Sequence, residues 1–278
     1  MLNSKIESAE SGLAVFDVQS PSGIEISQIR HSIEQEGAII VRNLITPECA
    51  GKTKEALIHV LDIDVKNYGM DYRFRGMVHA LMNRGQVFLD LLAVSSLVSI
   101  CKSILGHGCI INGFNSSSMP PSGSNFSRSI HVDCPRLIPN YITNLGITLA
   151  LDPFTKNNGG MEIAAGSFLT PDQPSEESFA DSAIQPKLGI GDAIVFNARC
   201  WHRGGINRTD SWRHAVTFNV CRAYMRQQFD YTRMLGAEQM EALPEEVRQF
   251  LGYYVRMPEN MDEFLLPPEL RKYRPGQE

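Results

Sequence analysis

Ser129-Ile130-His131-Val132-Asp133 alternates polar and apolar residues, which is the pattern of a β-strand with one polar face. Side chains at i and i+2 of a strand point to the same side, so the His131 imidazole and the Asp133 carboxylate can bind one metal ion together. His202 lies further along the chain, in Trp201-His202-Arg203-Gly204-Gly205. Two histidines and one carboxylate that leave open positions on a divalent metal are diagnostic of non-haem Fe(II) oxygenases.

A lone His-x-acid triplet would be weak support for a metal site. With seven histidines and 31 acidic residues among 278, chance alone gives about 0.8 such triplets, and a lone histidine is more often structural than a ligand. The order of the features is more specific, because Gly191-Asp192 and an apolar strand lead to His202, and Arg213 follows on the next strand. The permanently charged fork of Arg213 suits the far carboxylate of a dicarboxylate co-substrate.

Short predicted strands separated by turns fill the second half of the chain. The turn signals include Pro120-Pro121-Ser122-Gly123 and Asn157-Asn158-Gly159-Gly160. The strands are predicted at residues 109–117, 127–134, 143–152, 161–164, 183–188, 192–199 and 212–222. This pattern predicts a sandwich or a barrel.

The longer predicted strands each have one bulky apolar face and one small or polar face. Ile147, Leu149 and Leu151 alternate with Thr148, Ala150 and Asp152, and Val216, Phe218 and Val220 alternate with Arg213, Ala215 and Thr217. That division predicts a barrel with a roomy polar interior. An ordinary sheet with one solvated face is the alternative.

The first hundred residues are predicted to be mainly helical. The predicted elements are a loose lead-in at 1–23, a helix at 24–36, a strand at 38–42, a helix that begins at Thr46-Pro47 and one apolar helix at 86–105 that Gly106 ends. A further helix at 245–251 precedes a Pro-rich tail.

Composition and charge are those of an ordinary soluble globular protein. The net charge is −5, and no block of Lys and Arg stands out, which argues against nucleic acid or an anionic membrane as the partner. Six scattered cysteines without a C-x-x-C pair indicate reduced thiols and a cytoplasmic protein. No signal peptide and no transmembrane segment are visible. We expect a monomer or a homodimer.

Several motifs in order resemble the phytanoyl-CoA dioxygenase family of Fe(II)/2-oxoglutarate oxygenases. They are Glu36 to Leu44, Leu149 to Gly159, Met161 to Ser167, Gly191 to Phe196, and then His202, Asn207 and Arg213. The resemblance covers most of the chain and implies a mainly β fold with flanking helices, the double-stranded β-helix or cupin-like jelly roll. It implies a single oxygenase domain over 1–278, with helical support at 24–108, the jelly-roll core at 109–222 and a helical, Pro-rich region at 223–278.

The resemblance also implies roles for individual residues. His131, Asp133 and His202 would be the iron ligands, Arg213 would hold the C5 carboxylate of 2-oxoglutarate, and Thr148 would touch that co-substrate. The implied activity is an O₂-consuming dioxygenase of the EC 1.14.11 type that hydroxylates a small organic substrate, or desaturates, epoxidises or cyclises it. Because Asp133 is present, oxygenation is expected rather than halogenation.

Two positions depart from the family pattern. Arg128 stands where many members have Gln, so it either contacts an anionic group of co-substrate or substrate, or is a surface residue. Phe168 stands where the family has the last His of a Pro-Gly-Ser-His turn.

The substrate cannot be identified from the sequence. Segments 72–83, 119–128 and 223–235 are predicted to border the mouth, with Arg73, Arg75 and Asn115 as candidate substrate contacts. A small secondary metabolite is favoured, because no nucleotide-binding signature is visible. The alternatives are a non-catalytic metal-binding sensor or a cofactor-independent isomerase on the same fold.

Overall fold

The computed structural model describes residues 7–8, 12–18, 23–68 and 76–274. Nine strands lie within these ranges: β1 Glu7–Ser8, β2 Ala14–Asp17, β3 Ala38–Arg42, β4 Ile110–Ser116, β5 Asn144–Ala150, β6 Met161–Ile163, β7 Ala193–Asn197, β8 His202–Gly204 and β9 Ala215–Cys221. The α-helices of the same ranges are α1 Gly23–Glu36, α2 Pro47–Tyr68, α3 Gln86–Leu91, α4 Ser95–Leu105, α5 Glu176–Ser182, α6 Tyr231–Leu235, α7 Ala237–Ala242, α8 Glu245–Phe250 and α9 Met261–Phe264. None of the helices in the described part of the chain has the length and apolar character needed to cross a lipid bilayer.

Two sheets form the jelly roll that the sequence predicts. The larger sheet has the strand order β1-β2-β3-β7-β5-β9-β4, and the smaller pairs β6 with β8. Single antiparallel bridges extend the smaller sheet, including His131 with His202 and Ile163 with Ile184. Helices α1 to α4 pack against one face of the larger sheet.

The predicted alternation of faces is confirmed. Ile147, Leu149, Val216 and Val220 belong to the core cluster that also contains the helices α1 to α4. On the opposite face, Ala150, Ala215 and Phe196 pack in a second cluster with Met161 and Ile163 of the smaller sheet. The space between the sheets is therefore lined by the small and polar face, as a barrel with a usable interior requires.

The Gly191-Asp192 turn connects the start of β7 to the end of β3 through several contacts. Gly191 has a φ of +84°, and a Cβ there would lie 2.2 Å from the carbonyl oxygen of Ile45, so only glycine fits. The Asp192 carboxylate pairs with Arg42 and accepts the amide N–H of Asn43 at 3.0 Å and of Gly189 at 2.6 Å. Asp192 is thus a structural residue that sets the start of the strand leading to His202.

Several predicted elements differ from the structure. Residues 127–134 are not a regular strand, because Phe126–Arg128 is a 3₁₀ turn and His131 makes only one bridge. The apolar stretch 86–105 forms two helices, α3 and α4, with a break at residues 92–94. Within the predicted loose lead-in, Ala14–Asp17 is a strand that pairs in parallel with β3, and residues 183–188 contribute only isolated bridges.

Candidate metal centre

His131, Asp133 and His202 come together at the opening between the two sheets. Asp133 Oδ1 lies 3.7 Å from His131 Nε2 and 3.8 Å from His202 Nε2. Their ligand atoms all lie within 4.8 Å of one another. The His202 side chain is 8% exposed, whereas those of His131 and Asp133 are 37% and 29% exposed. The cluster is therefore buried on the His202 side and open to solvent on the other.

The backbone orients both imidazoles for metal binding. His131 Nδ1 lies 2.7 Å from the carbonyl oxygen of Ser129, and His202 Nδ1 lies 2.9 Å from that of Cys200. A carbonyl oxygen can only accept, so each Nδ1 carries the proton and each Nε2 keeps its lone pair. Because both Nε2 atoms face Asp133, the donor set fits a divalent metal held by two neutral imidazoles and one carboxylate.

Burial favours the ligand form of His202. It lowers the pKa of His202 from 6.5 to about 4, although the nearby Asp133 carboxylate acts in the opposite direction. His202 is therefore neutral at physiological pH, as a metal-binding imidazole must be.

Arg213 lies at the closed end of the same cavity and is 2% exposed. Its terminal nitrogens donate to the carbonyl oxygens of Ser117 at 2.8 Å and Gly159 at 2.6 Å. Its Nε is buried and has no partner among the described residues. Burial lowers the pKa of Arg213 to about 9, so the group remains a cation at neutral pH and would gain from a carboxylate partner.

Asn207 holds the turn that brings the chain from His202 to Arg213. Its fully buried amide accepts from the Thr209 N–H at 3.0 Å and donates to the carbonyl oxygen of Ser211 at 2.8 Å. Two backbone hydrogen bonds between Met119 and Arg213 then fix the start of the next segment. The spacing between His202 and Arg213 is thus a consequence of this turn.

A cavity of about 280 Å³ joins the metal cluster to Arg213. Its floor carries a row of polar residues on three neighbouring strands, because Thr148 pairs with Thr217 and Thr217 pairs with Asn115. Apolar walls come from Phe154, Met161 and Phe196, among which the Phe196 ring packs edge-on against His202 at 4.9 Å. Thr148 and Asn115, which are predicted to contact the co-substrate and the substrate, both line the cavity.

A polar chain on the cavity wall was not predicted from the sequence. Asn115 Oδ1 lies 3.2 Å from His79 Nδ1, and Asn115 Nδ2 lies 3.5 Å from Gln228 Oε1. His79 and Gln228 belong to two of the three segments predicted to border the mouth, and Ser127 of the third segment also lines the cavity. The segments were identifiable as loops, but no local pattern singled out these side chains.

Arg128 does not line this cavity, so its predicted contact with an anionic group is not supported. Its NH1 donates to the carbonyl oxygen of Gly204 at 3.3 Å and lies 3.6 Å from the Glu162 carboxylate. Glu162 also accepts from Arg203 at 2.6 Å, and Arg203 pairs with Glu176 at 2.5 Å. Arg128 is instead the outer member of a charged network on the smaller sheet.

Three further predicted positions have other outcomes. Arg73 and Arg75 lie outside the described residues. Phe168, which replaces the histidine of the family turn, lines a second cavity away from the metal cluster and lies against Gly37.

Comparisons with known proteins agree with this geometry. The profile of the family "Phytanoyl-CoA dioxygenase (PhyH)" matches residues 33–215, which include the three clustered residues and Arg213. An uncharacterized protein of Mycobacterium tuberculosis, Rv1501, is 28% identical over 272 residues, which is 95% of this chain and all of that protein. The dioxygenase andF of Emericella variicolor is 21% identical over 84% of this chain and 86% of its own.

A solved structure shares the fold. EctD from S. alaskensis with bound Fe superposes with a TM-score of 0.60 at 17% identity, over 75% of this chain and 79% of EctD. Because the family profile spans most of the chain and includes the clustered residues, this protein belongs to the phytanoyl-CoA dioxygenase (PhyH) family.

Proposed function

We propose that this protein is an Fe(II)- and 2-oxoglutarate-dependent dioxygenase that hydroxylates a small organic substrate. The observation that carries the proposal is the convergence of His131 Nε2, His202 Nε2 and the Asp133 carboxylate, with both Nδ1 atoms engaged by backbone carbonyls. This donor set leaves coordination positions open, as the Fe(II) oxygenases require. The EctD structures, one with Fe and one with 2-oxoglutarate and 5-hydroxyectoine, support the same cofactors.

The chain's own residues would bind and orient the reactants. Arg213 presents a buried cation with a free Nε at the closed end of the cavity, where it would hold the far carboxylate of 2-oxoglutarate. Thr148 lies on the cavity floor and is 7% exposed, within the same buried region. The apolar side chains of Phe154, Met161 and Phe196 would exclude water from the reacting centre.

When bound, Fe(II) and 2-oxoglutarate supply the oxidising chemistry. One oxygen atom of O₂ goes to succinate as CO₂ is lost, and the other becomes a hydroxyl group at a substrate C–H bond. His131, Asp133 and His202 would hold the metal, and no ionisable protein group has to accept a proton in this overall balance.

The cavity suits a substrate with an apolar body and a neutral hydrogen-bonding group. The His79–Asn115–Gln228 chain offers donors and acceptors on one wall, whereas the facing walls are aromatic or aliphatic. A volume of about 280 Å³ that must also hold 2-oxoglutarate restricts the part of the substrate that enters to a small group. The proposal extends to a role in secondary metabolism, in the cytoplasm. The relatives from Emericella variicolor and Alternaria alternata are named dioxygenases, which supports the enzyme class.

Turnover of 2-oxoglutarate tests the proposal without knowledge of the substrate. The Fe(II)-loaded protein is incubated with 2-oxoglutarate labelled at C1. Labelled CO₂, which derives from C1, and unlabelled succinate are measured with and without O₂. We expect slow, O₂-dependent formation of both products in equal amounts, and its loss in Asp133→Ala. A protein that binds Fe(II) tightly but neither binds nor consumes 2-oxoglutarate would support the metal-binding sensor instead.

A further inference from the structure

A second and larger cavity, of about 580 Å³, shares no lining residue with the metal cavity. Its polar walls come from Asn197 at the end of β7, from Arg199 two residues later and from Arg222 directly after β9. The apolar part of its lining includes Ile138, Tyr141 and Leu169, which are 38%, 39% and 57% exposed. The cavity therefore combines cationic groups with an apolar rim.

Arg199 is a buried cation without a counter-charge. It is 5% exposed, and its terminal nitrogens donate to the carbonyl oxygens of Pro135 at 3.4 Å and Thr170 at 2.6 Å. Its Nε is buried and unpaired, and no carboxylate of the described ranges lies within ion-pair distance. Burying an uncompensated charge is costly, so a site of this kind is stabilised by an anion.

Asn197 adds a directed donor beside Arg199. Its side-chain oxygen accepts the Arg199 amide N–H at 3.0 Å, which identifies the other terminal atom as the NH₂ group. Asn197 lines the cavity and is 7% exposed. A donor next to a guanidinium that lacks a counter-charge is the arrangement that binds a carboxylate.

Arg222 supplies a second cation to the lining of this cavity. Its three nitrogens donate to the carbonyl oxygens of Ile142, Leu105 and Ile104, and the last two end helix α4. Its guanidinium stacks 4.0 Å above the Tyr141 ring. These partners are neutral, so the charge of Arg222 is not cancelled by any side chain in the described part of the protein. The cavity's remaining ionic side chains, Arg30 and Glu34, pair with each other at 2.8 Å.

We infer that this second cavity binds a small organic anion, namely a carboxylate with an apolar body. Arg199, Arg222 and Asn197 hold the carboxylate, and Tyr141, Ile138 and Leu169 cover the apolar body. The site is separate from the metal cavity and does not depend on the proposed dioxygenase function.

The site also contacts the segment that positions a metal ligand. Asp133 donates its amide N–H to the carbonyl oxygen of Ala198 at 2.9 Å, and Arg199 holds Pro135 two residues further on. An anion bound by Arg199 therefore lies beside the residues after β7, and the carbonyl oxygen of Ala198 in that segment accepts the Asp133 N–H.

Calorimetric titration with matched probes tests the inference. Phenylacetate and hexanoate are compared with 2-phenylethanol, hexan-1-ol and 2-phenylethylamine, which keep the apolar bodies without the negative charge. We expect at least one carboxylate to bind at least tenfold more tightly than its uncharged and cationic counterparts. If neither carboxylate binds, or the alcohols bind equally well, the inference is wrong.

Variants locate the binding site. Arg222→Gln should weaken binding at least tenfold, whereas Arg208→Gln, which removes an exposed arginine elsewhere, and Arg213→Gln, in the metal cavity, should not. Leu169→Glu places a negative charge at the exposed rim and should weaken binding more than Leu169→Gln, which makes the same change of size and polarity without the charge. Loss of binding in Arg213→Gln, or equal affinities of Leu169→Glu and Leu169→Gln, would place the probe outside this cavity and overturn the inference.

Discussion

His131 and His202 face each other across an antiparallel bridge in which each backbone N–H donates to the other's carbonyl oxygen, at 3.0 and 2.9 Å. Their ring centroids are 4.2 Å apart. The backbone pairing that joins the two segments thus also fixes the separation of the two imidazoles. A metal site built on such a bridge is defined before the metal binds, which is the preorganisation that a catalytic centre needs.

Removal of any one clustered side chain should abolish tight Fe(II) binding. His131→Ala, Asp133→Ala and His202→Ala each leave two ligands, and we expect an affinity loss of at least about 100-fold, since even outer partners of ligands are worth 10- to 100-fold. Anaerobic equilibrium dialysis with Fe(II) measures the loss. Asp210→Ala, which removes an exposed acid elsewhere, is the control. Parent-like iron binding in all three variants would contradict the assignment.

Arg213→Gln should weaken 2-oxoglutarate binding and leave Fe(II) binding intact. A charge-assisted, desolvated contact of this kind is worth about 2–5 kcal/mol, so the dissociation constant should rise by a factor of about 30 or more. Calorimetry of the metal-loaded protein, with Mn(II) in place of Fe(II), measures it. Arg208→Gln should bind 2-oxoglutarate as the parent does. An unchanged 2-oxoglutarate affinity in Arg213→Gln would contradict the role of Arg213 in binding the co-substrate.

Arg128→Gln should alter stability by no more than about 1 kcal/mol, because the pair with Glu162 is partly solvated. Its Fe(II) and 2-oxoglutarate affinities should match those of the parent, since Arg128 does not line the cavity. Arg203→Gln is the informative comparison, because its side chain is 9% exposed and bonded to two carboxylates. We expect Arg203→Gln to lower the free energy of unfolding by about 3 kcal/mol, as measured by urea unfolding. A strong loss of 2-oxoglutarate affinity in Arg128→Gln would show instead that Arg128 contacts an anionic group of the co-substrate.

Stability should fall between pH 6.5 and 4, in part through His214. Burial lowers the pKa of His214 from 6.5 to about 4, so the unfolded chain binds a proton in this range that the folded chain does not. The stabilisation is complete above pH 6.5 and is lost as the pH falls towards 4, with a limit of about 3 kcal/mol. His214→Gln should reduce this slope in metal-free protein, as measured by urea unfolding. Parallel pH profiles for parent and variant would contradict the assignment.

The metal cluster could be predicted from the sequence because its information is local. His131-Val132-Asp133 supplies two ligands by spacing alone, and the Gly191-Asp192 turn and the apolar strand β7 point to His202. The regular strand predicted around His131 was wrong, since a 3₁₀ turn at Phe126–Arg128 precedes a single bridge. The His131 and Asp133 side chains nonetheless both face His202, because the backbone bridge between His131 and His202 aligns this segment as a full strand would have done.

Features that depend on distant pairs could not be predicted. The chain His79–Asn115–Gln228 joins residues from three separate segments. Asn115 was a candidate contact from the sequence, but its partners His79 and Gln228 have no sequence pattern of their own. The position of Arg128 depends on Glu162 of strand β6, and that contact arises only in the folded protein. The split between α3 and α4 is likewise a tertiary effect, because the apolar pattern continues across it.

The central claim is that one Fe(II) ion held by His131, Asp133 and His202 binds 2-oxoglutarate beside Arg213. Anaerobic titration of the Fe(II)-loaded protein with 2-oxoglutarate, followed by visible absorption, tests it most directly. We predict a weak charge-transfer band that saturates at one equivalent, is absent in Asp133→Ala, and needs far more 2-oxoglutarate in Arg213→Gln. A protein that retains Fe(II) but shows no band at saturating 2-oxoglutarate would contradict the account.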